Sequence, residues 1–329
     1  MDRFNYFDSL QLIKNEDDFE TLALEAFQYQ FQNNEVYSEF VKSLNISPEK
    51  IKSIYEIPFL PVEIFKTRKV LTGNENYQRI FKSSGTTGDQ TSKHYVKDIS
   101  LYEINFSKIF SLFYNNPSDY TILALLPSYL EREGSSLIYM TDKLIKATQS
   151  PASGFYMDEY KKLFSILEQL KKEKRKTILF GVTYALLDFI FSFKINFPGL
   201  IIMETGGMKG KRKEMVREEV HELLCAGFGV DVVHSEYGMT ELLSQAYSCG
   251  NGIFKSPAWM RILVRDPYDP LKPAALKTSG GINIIDLANI DSCAFISTQD
   301  LGRVYPDHSF EVIGRFDFSD VRGCNLMID

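Results

Sequence analysis

Between residues 121 and 233 short apolar runs alternate with longer helix-like stretches, and this alternation restricts the fold more than any other feature. Thr121–Leu126, Thr177–Phe180, Leu200–Met203 and Val230–Val233 read as buried strands. Asp158–Lys172 and Lys211–Ala226 lie between them and read as helices. Strand and helix alternating in this way predict parallel βαβ units. In open α/β sheets, ligands bind beyond the carboxyl ends of the strands, so the residues that follow each run are the informative ones.

The pattern changes on either side of this block. Upstream, residues 17–44 place Phe19, Leu22, Ala26, Phe27 and Phe31 near a 3.6-residue spacing, which predicts helix. Ile57-Pro58-Phe59-Leu60-Pro61-Val62 follows; its prolines exclude a helix interior and predict an extended connector. After residue 250 the segments Trp259–Arg265, Gly281–Leu287 and Cys293–Ser297 are short and β-rich. Turn signals at Asp266-Pro267, Asp269-Pro270 and Gly280-Gly281 separate them, which predicts an antiparallel β subregion on an α/β body. No repeat or low-complexity linker marks a domain boundary.

Composition removes several function classes. Apolar residues make up 44% and charged residues 24%, the balance of a soluble globular protein, and 25 Phe and 18 Tyr can furnish a large core or an apolar pocket. A formal net charge of -6 supplies no electrostatic reason to hold nucleic acid. The basic run Lys171-Lys172-Glu173-Lys174-Arg175-Lys176 reads as a solvated helix end or loop before a strand in preference to a docking patch. Met1-Asp2-Arg3-Phe4-Asn5 does not open a signal peptide, and no apolar stretch is long enough to predict a membrane span. Cys225, Cys249, Cys293 and Cys324 are far apart with no CxxC, so neither a zinc site nor a disulfide framework is expected, and a reducing cytoplasm is.

Three short segments carry the candidate chemistry. Lys82-Ser83-Ser84-Gly85-Thr86-Thr87-Gly88 is rich in hydroxyl and backbone N–H donors and can wrap a polyphosphate, with Lys93 downstream as a cation. It is not a Walker A loop, and Gly206-Gly207-Met208-Lys209-Gly210-Lys211 is one residue short of one. On composition alone a plain solvent loop is an equal reading. Ser235-Glu236-Tyr237-Gly238-Met239-Thr240-Glu241 follows the Val230–Val233 run; Glu241 can hold Mg²⁺ through oxygen. The plainer reading is that Glu236 and Glu241 favour the start of a following helix. Ser297-Thr298-Gln299-Asp300-Leu301-Gly302 reads as an acidic turn, where Asp300 can accept from two ribose hydroxyls. Arg315, in Gly314-Arg315-Phe316-Asp317, is in reach of a ribose or phosphate. Taken singly, each is an ordinary turn. His234 reads as a packed structural residue rather than a base, and Tyr129, Glu131 and Arg132 as lining residues.

In this order the segments resemble the acyl-adenylate-forming superfamily, with its TSGTTG-like loop, YGxTE segment, ribose-binding Asp and GRxD hinge. Within it the chain is most similar to the LuxE acyl-protein synthetases, through Ile57–Lys66 (IPFLPVEIFK), Leu125–Ser136 (LLPSYLEREGSS) and Met203–Gly207 (METGG). Next comes phenylacetate–CoA ligase, whose RGVN ending matches Arg322-Gly323-Cys324-Asn325 except at Cys324. The resemblance implies an α/β fold: the large N-terminal domain of that superfamily over residues 1–313, built of parallel α/β subdomains and a smaller β-rich subregion. A hinge-like tail over 314–329 would carry Cys324, and the usual C-terminal domain with its lysine would be absent.

The resemblance also implies roles. Ser83, Ser84, Gly85, Thr86, Thr87 and Gly88 would cradle the triphosphate of ATP, and Gly206 and Gly207 would border the adenine. Tyr237 would stack on the adenine or line its slot, next to Gly238. Thr240 would contact phosphate, Glu241 would bind Mg²⁺, and Asp300 would hold the ribose with Arg315 nearby. Cys324 would take the acyl group as a thioester, and Lys93 is a candidate for the work of the absent lysine. The expected activity is ATP-dependent activation of a carboxylic acid, of the fatty class, to an acyl-adenylate and its transfer to a thiol. A reductase and an acyltransferase would be the partners. A minimal acyl- or aryl-CoA ligase and a non-catalytic nucleotide-binding subunit are the alternatives.

Overall fold

The structure, a computed structural model, describes residues 3–73, 76–83, 90–127, 134–157, 159–206, 215–267, 269, 271–274 and 277–316. The first third holds α1 (Arg3–Leu10), α2 (Glu16–Asn33), α3 (Glu35–Ser43), β1 (Leu60–Pro61), α4 (Ile64–Thr67), β2 (Arg79–Lys82) and β3 (Lys93–Val96). The central third holds α5 (Ile99–Tyr114), β4 (Thr121–Leu125), α6 (Ser136–Ala147), β5 (Gly154–Phe155), α7 (Tyr160–Lys172), β6 (Thr177–Val182), α8 (Thr183–Ser192), β7 (Leu200–Thr205) and α9 (Arg217–Phe228). The remainder is β8 (His234–Tyr237), β9 (Ala246–Ser248), β10 (Ile253–Lys255), β11 (Met260–Arg265), β12 (Gly280–Asp286), β13 (Phe295–Val304) and β14 (Phe310–Arg315).

One large sheet organises the molecule, in the order β11-β12-β13-β14-β10-β9-β8-β7-β6-β4-β5, with β1 added beside β13. The stretch from β5 to β8 is parallel. Beyond β8 every neighbour in that order is antiparallel. The parallel part is covered by amphipathic helices such as α7, which buries Leu163, Leu167 and Leu170 at helical spacing. All five residues of β4 and all six of β6 are buried, as strands covered on both faces should be. The α/β body and the antiparallel subregion are therefore both present, and they share one continuous sheet.

The helix expected over Lys211–Ala226 is α9, Arg217–Phe228, and three further differences from the sequence reading bear on the site. Val230–Val233 forms no strand. Gly229 adopts φ +68° and closes α9, and the amides of Gly229 and Val230 both bond to Cys225 O, so Val230 is still part of the helix cap. The strand begins at His234 instead. The helical stretch 17–44 is two helices. Asn34 leaves α2 in an extended conformation and caps α3, its Oδ1 accepting from the Tyr37 backbone N–H, while its side-chain Nδ2 donates to Ser292 O at 2.7 Å. Asp300 lies not in a turn but within β13, next to an irregularity between Leu301 and Gly302. The prolines at 58 and 61 do stay outside helix, and Leu60 and Pro61 pair in parallel with Ile296 and Ser297. The basic run 171–176 is the last turn of α7 and the link to β6. No described helix is long and apolar enough to cross a membrane.

Candidate functional site

The site is built where β8 meets the antiparallel half of the sheet. Tyr237 ends β8. Its ring packs edge-on against Phe254 and Phe310, with centroids 5.9 and 5.7 Å apart, which leaves the hydroxyl one direction to point. That hydroxyl donates to Asp300 Oδ2 at 2.8 Å. Arg315 Nε donates to Asp300 Oδ1 at 3.2 Å across the β13–β14 ladder, where the two residues are paired partners. Asp300 is 8% exposed and Arg315 lies largely in solvent. Each carboxylate oxygen thus has one partner and a lone pair to spare. Burial, and then the Asp300 charge, hold the Tyr237 hydroxyl well above its ordinary pKa, so it remains a donor.

Glu241 sits four residues beyond Tyr237, in a turn and not at a helix start; no helix follows β8 before β9. It is buried, and burial raises its carboxyl, while the Ser92 side chain bonds to it and the charges of Lys66 and Arg315 oppose the rise. The turn is pinned from beneath. His94 spans Thr240 O (Nδ1, 2.8 Å) and Asn289 Oδ1 (Nε2, 3.0 Å), and Asn289 Nδ2 donates to Glu241 O at 2.7 Å. Burial drives the His94 imidazole down to about 4, and a neutral ring carries one N–H, which donates to one of these two oxygens. Asp286 accepts from the amides of Leu243 and Ser244 and from the Ser244 hydroxyl, at 2.8, 2.9 and 2.6 Å.

The hairpin β2–β3 carries the hydroxyl–glycine segment. Its stem closes with Ser83 N donating to Ser92 O (3.1 Å) and Ser92 N donating to Ser83 Oγ (2.9 Å). Because Ser92 also bonds to Glu241, the base of this loop is fixed beside the turn that ends the Tyr237 segment. Ser84, Gly85, Thr86, Thr87 and Gly88 lie outside the described residues, as do Gly207, Cys324 and the residues Tyr129, Glu131 and Arg132. Lys93 is opposite Lys82 on the stem and exposed; strand alternation puts it on the face of β3 opposite to His94. Gly206 ends β7 with φ +67°, and Thr183 Oγ1 donates to its carbonyl. Gly238 is needed for space: a Cβ there would stand 2.5 Å from Glu236 Oε1.

Two buried carboxylates escaped the sequence reading as site components. Glu236, on β8, accepts from Thr205 Oγ1 at 2.6 Å; burial, aided by the Glu204 charge, raises its carboxyl to about 7. Glu204 faces the other side of the sheet and gathers Thr183 (2.7 Å), Ser235 (3.0 Å) and, at ion-pair distance, His221 (3.6 Å). Burial alone would raise Glu204, but these neighbours outweigh it and hold the carboxyl below its ordinary value. The METGG segment contained Glu204, but periodicity does not say that a strand end will bury a carboxylate. His234 is half-buried, with Tyr114 Oη 3.0 Å from Nδ1, a packed residue as expected.

The donor set suits a nucleotide with a hard cation. The free lone pairs of Asp300 could accept from vicinal hydroxyls, and Glu241 beside Ser92 could offer oxygen ligands. Among the described residues no cluster of three or more His, Cys, Asp and Glu is arranged for a metal. A single protein carboxylate matches Mg²⁺, which keeps waters and takes phosphate oxygens as its other ligands.

Comparison with known proteins bears on the family and the fold. Residues 8–329 match the family profile "Acyl-protein synthetase, LuxE". The long-chain-fatty-acid–luciferin-component ligase of Vibrio harveyi is 24% identical over 324 residues, covering 92% of this chain and 84% of that protein. The protein of the same name from Photorhabdus luminescens is 34% identical over 68 residues, 20% of this chain and 58% of that one. Among solved structures, 2-hydroxyisobutyryl-CoA ligase in complex with 2-HIB-AMP and CoA superposes with a TM-score of 0.66 at 13% identity, covering 92% of this chain and 70% of that one. ATP-bound MatB from Rhodopseudomonas palustris gives 0.53 at 18% identity, with 72% and 47% covered. These likenesses establish a shared fold.

Proposed function

The chain belongs to the LuxE acyl-protein synthetase family, and from that premise we propose that it activates a long-chain carboxylic acid with ATP and passes the acyl group to its own Cys324. The observation that carries this reading is the convergence of three distant stretches: Ser92 at the base of the hydroxyl–glycine loop touches Glu241, while Tyr237 and Arg315 clasp Asp300. The fatty class of the acid follows from what the curated relatives are named for.

In this reading Asp300 takes the ribose hydroxyls, with Arg315 beside it. Tyr237, Gly206 and Gly207 border the adenine, and Gly238 lets the chain pass close to it. Ser83, Ser84, Gly85, Thr86, Thr87 and Gly88 cradle the triphosphate with Thr240, and Lys93 supports the loop at its stem. Glu241 holds Mg²⁺, which when bound neutralises charge on the departing pyrophosphate. A carboxylate oxygen of the substrate attacks the α-phosphorus; the bond to the pyrophosphate oxygen breaks and a mixed anhydride results. The protein's part is to hold two anions in line and to stabilise the charge that leaves. The Cys324 thiolate then attacks the acyl carbon, and AMP leaves with the electron pair of the broken C–O bond. The expected boundary at residues 313/314 falls inside β14, where Gly314 and Arg315 pair with Leu301 and Asp300; in this reading the chain through β14 does the activation, and Cys324, beyond it in sequence, supplies the thiol. A cytoplasmic setting, with a reductase and an acyltransferase as partners, completes the proposal.

The test is labelling with a radioactive fatty acid in the presence of ATP. Hydroxylamine-sensitive label on the protein, lost in Cys324→Ala, is the expected result. A Cys324→Ala protein that still produces acyl-CoA from added CoA would replace self-acylation with CoA ligation. Tight ATP binding with no activation of fatty, aromatic or short acids would identify a non-catalytic subunit.

A further inference from the structure

A connector that sequence periodicity treats as mere linkage is clamped against the candidate nucleotide site at both ends. After β1 pairs with β13, the Val62 amide donates to Ser297 O at 2.9 Å, and the chain turns into α4. Glu63 accepts from Gln299 Nε2 at 2.5 Å, one residue from Asp300. Phe65 is fully buried and meets the His94 ring edge-on at 6.2 Å, and His94 holds the Thr240 carbonyl. Residues 63–66 therefore bridge the Asp300 side of the site and the Glu241 side.

Within this bridge Phe65 points inward and Lys66 is exposed. Glu63 and Lys66 are three apart in a helical turn, so they share a side, the side of Gln299. Among the described residues no carboxylate lies within ion-pair distance of the Lys66 ammonium. The next cations along the chain are otherwise engaged: Arg68 pairs with Glu39 at 2.9 Å, and Lys69 lies over the rings of Tyr77 and Tyr95 at 5.1 and 5.6 Å. Lys66 is thus an exposed cation whose charge reaches the buried Glu241 carboxylate, at the edge of a site whose ligand would carry several negative charges. A lysine ammonium is a mobile point charge suited to phosphate oxygens.

We infer that Lys66 supplies positive charge to the phosphate chain of ATP between Asp300 and Glu241; this rests on the nucleotide reading above. Calorimetric titration with ATP and with adenosine separates the two. Lys66→Ala is expected to weaken ATP about tenfold, or about 1.4 kcal/mol, to leave adenosine unchanged and to flatten the salt dependence of ATP binding. Lys66→Arg restores most of the ATP affinity, and Arg68→Ala, a charge loss two residues away, has no effect. Wild-type ATP affinity in Lys66→Ala, or equal weakening of ATP and adenosine, would overturn this inference and leave the nucleotide site standing. No ATP uptake by wild type would overturn both.

Discussion

Replacing Glu236 with Gln removes a buried charge while keeping the acceptor that Thr205 uses, and its effect on stability can be worked out in advance. In the folded chain the carboxyl titrates near 7, against 4.5 for an ordinary glutamate, chiefly because it is enclosed. A folded-state pKa above the unfolded one means that, between those two values, the folded chain keeps a proton that the unfolded chain has released. Stability therefore falls as pH rises through the window from 4.5 to 7 and is level above it. At 1.36 kcal/mol per pH unit the fall is about 3 kcal/mol at most. Glu236→Gln carries no such charge. Its added NH₂ lacks an evident partner and costs about 1 kcal/mol, so the variant should gain about 2 kcal/mol at pH 8. Unfolding entropy is about 2.1 cal/mol/K per residue; for 329 residues that is about 0.7 kcal/mol/K, and the Tm at pH 8 should rise by about 3 °C. At pH 5 the order reverses slightly. Thermal melts of both proteins from pH 5 to 8 test this, because other titrations cancel in the difference. Parallel Tm curves for the two proteins would refute the argument and place the Glu236 carboxyl in water.

Tyr237→Phe keeps the ring against Phe254 and Phe310 and deletes the donor to Asp300; titration should show ATP bound about tenfold more weakly, since one hydrogen bond to a charged group is worth about 1.5 kcal/mol. Gly302→Ala places a Cβ 2.4 Å from the backbone oxygen of Glu311; the β13–β14 pairing must shift, so stability should drop by about 2 kcal/mol, seen as a lower Tm, with poorer ATP binding because Arg315 rides on β14.

Elements with a local cause were legible in the sequence. β4, β6 and β7 each hold an apolar run, 122–125, 178–180 and 200–203, and α7 repeats its leucines at helical spacing, so hydrophobic pattern located them. β8 was misplaced because Gly229 and Val230 are spent on a helix cap, and the true strand, His-Ser-Glu-Tyr, is polar. It is a strand only because β7 and β9 flank it. The site follows the same division. Asp300, Tyr237 and Glu241 stand in short segments whose residue types suit ligand contact. The groups that hold them come from far along the chain. His94 reaches Thr240 across 146 residues and Tyr237 reaches Asp300 across 63. No periodic pattern encodes such pairings, so His94, Asn289, Asp286 and Lys66 emerge only in three dimensions.

The most direct test of the account is exchange of labelled pyrophosphate into ATP, because reversal of adenylation requires the nucleotide, the metal and the acid in one site. The wild-type protein should exchange label only when a long-chain fatty acid and Mg²⁺ are both present, and Glu241→Ala should lose at least a hundredfold of that rate while keeping its fold, an electrostatic loss of about 2.7 kcal/mol. Exchange that persists in Glu241→Ala, or that proceeds without any carboxylic acid, would contradict it.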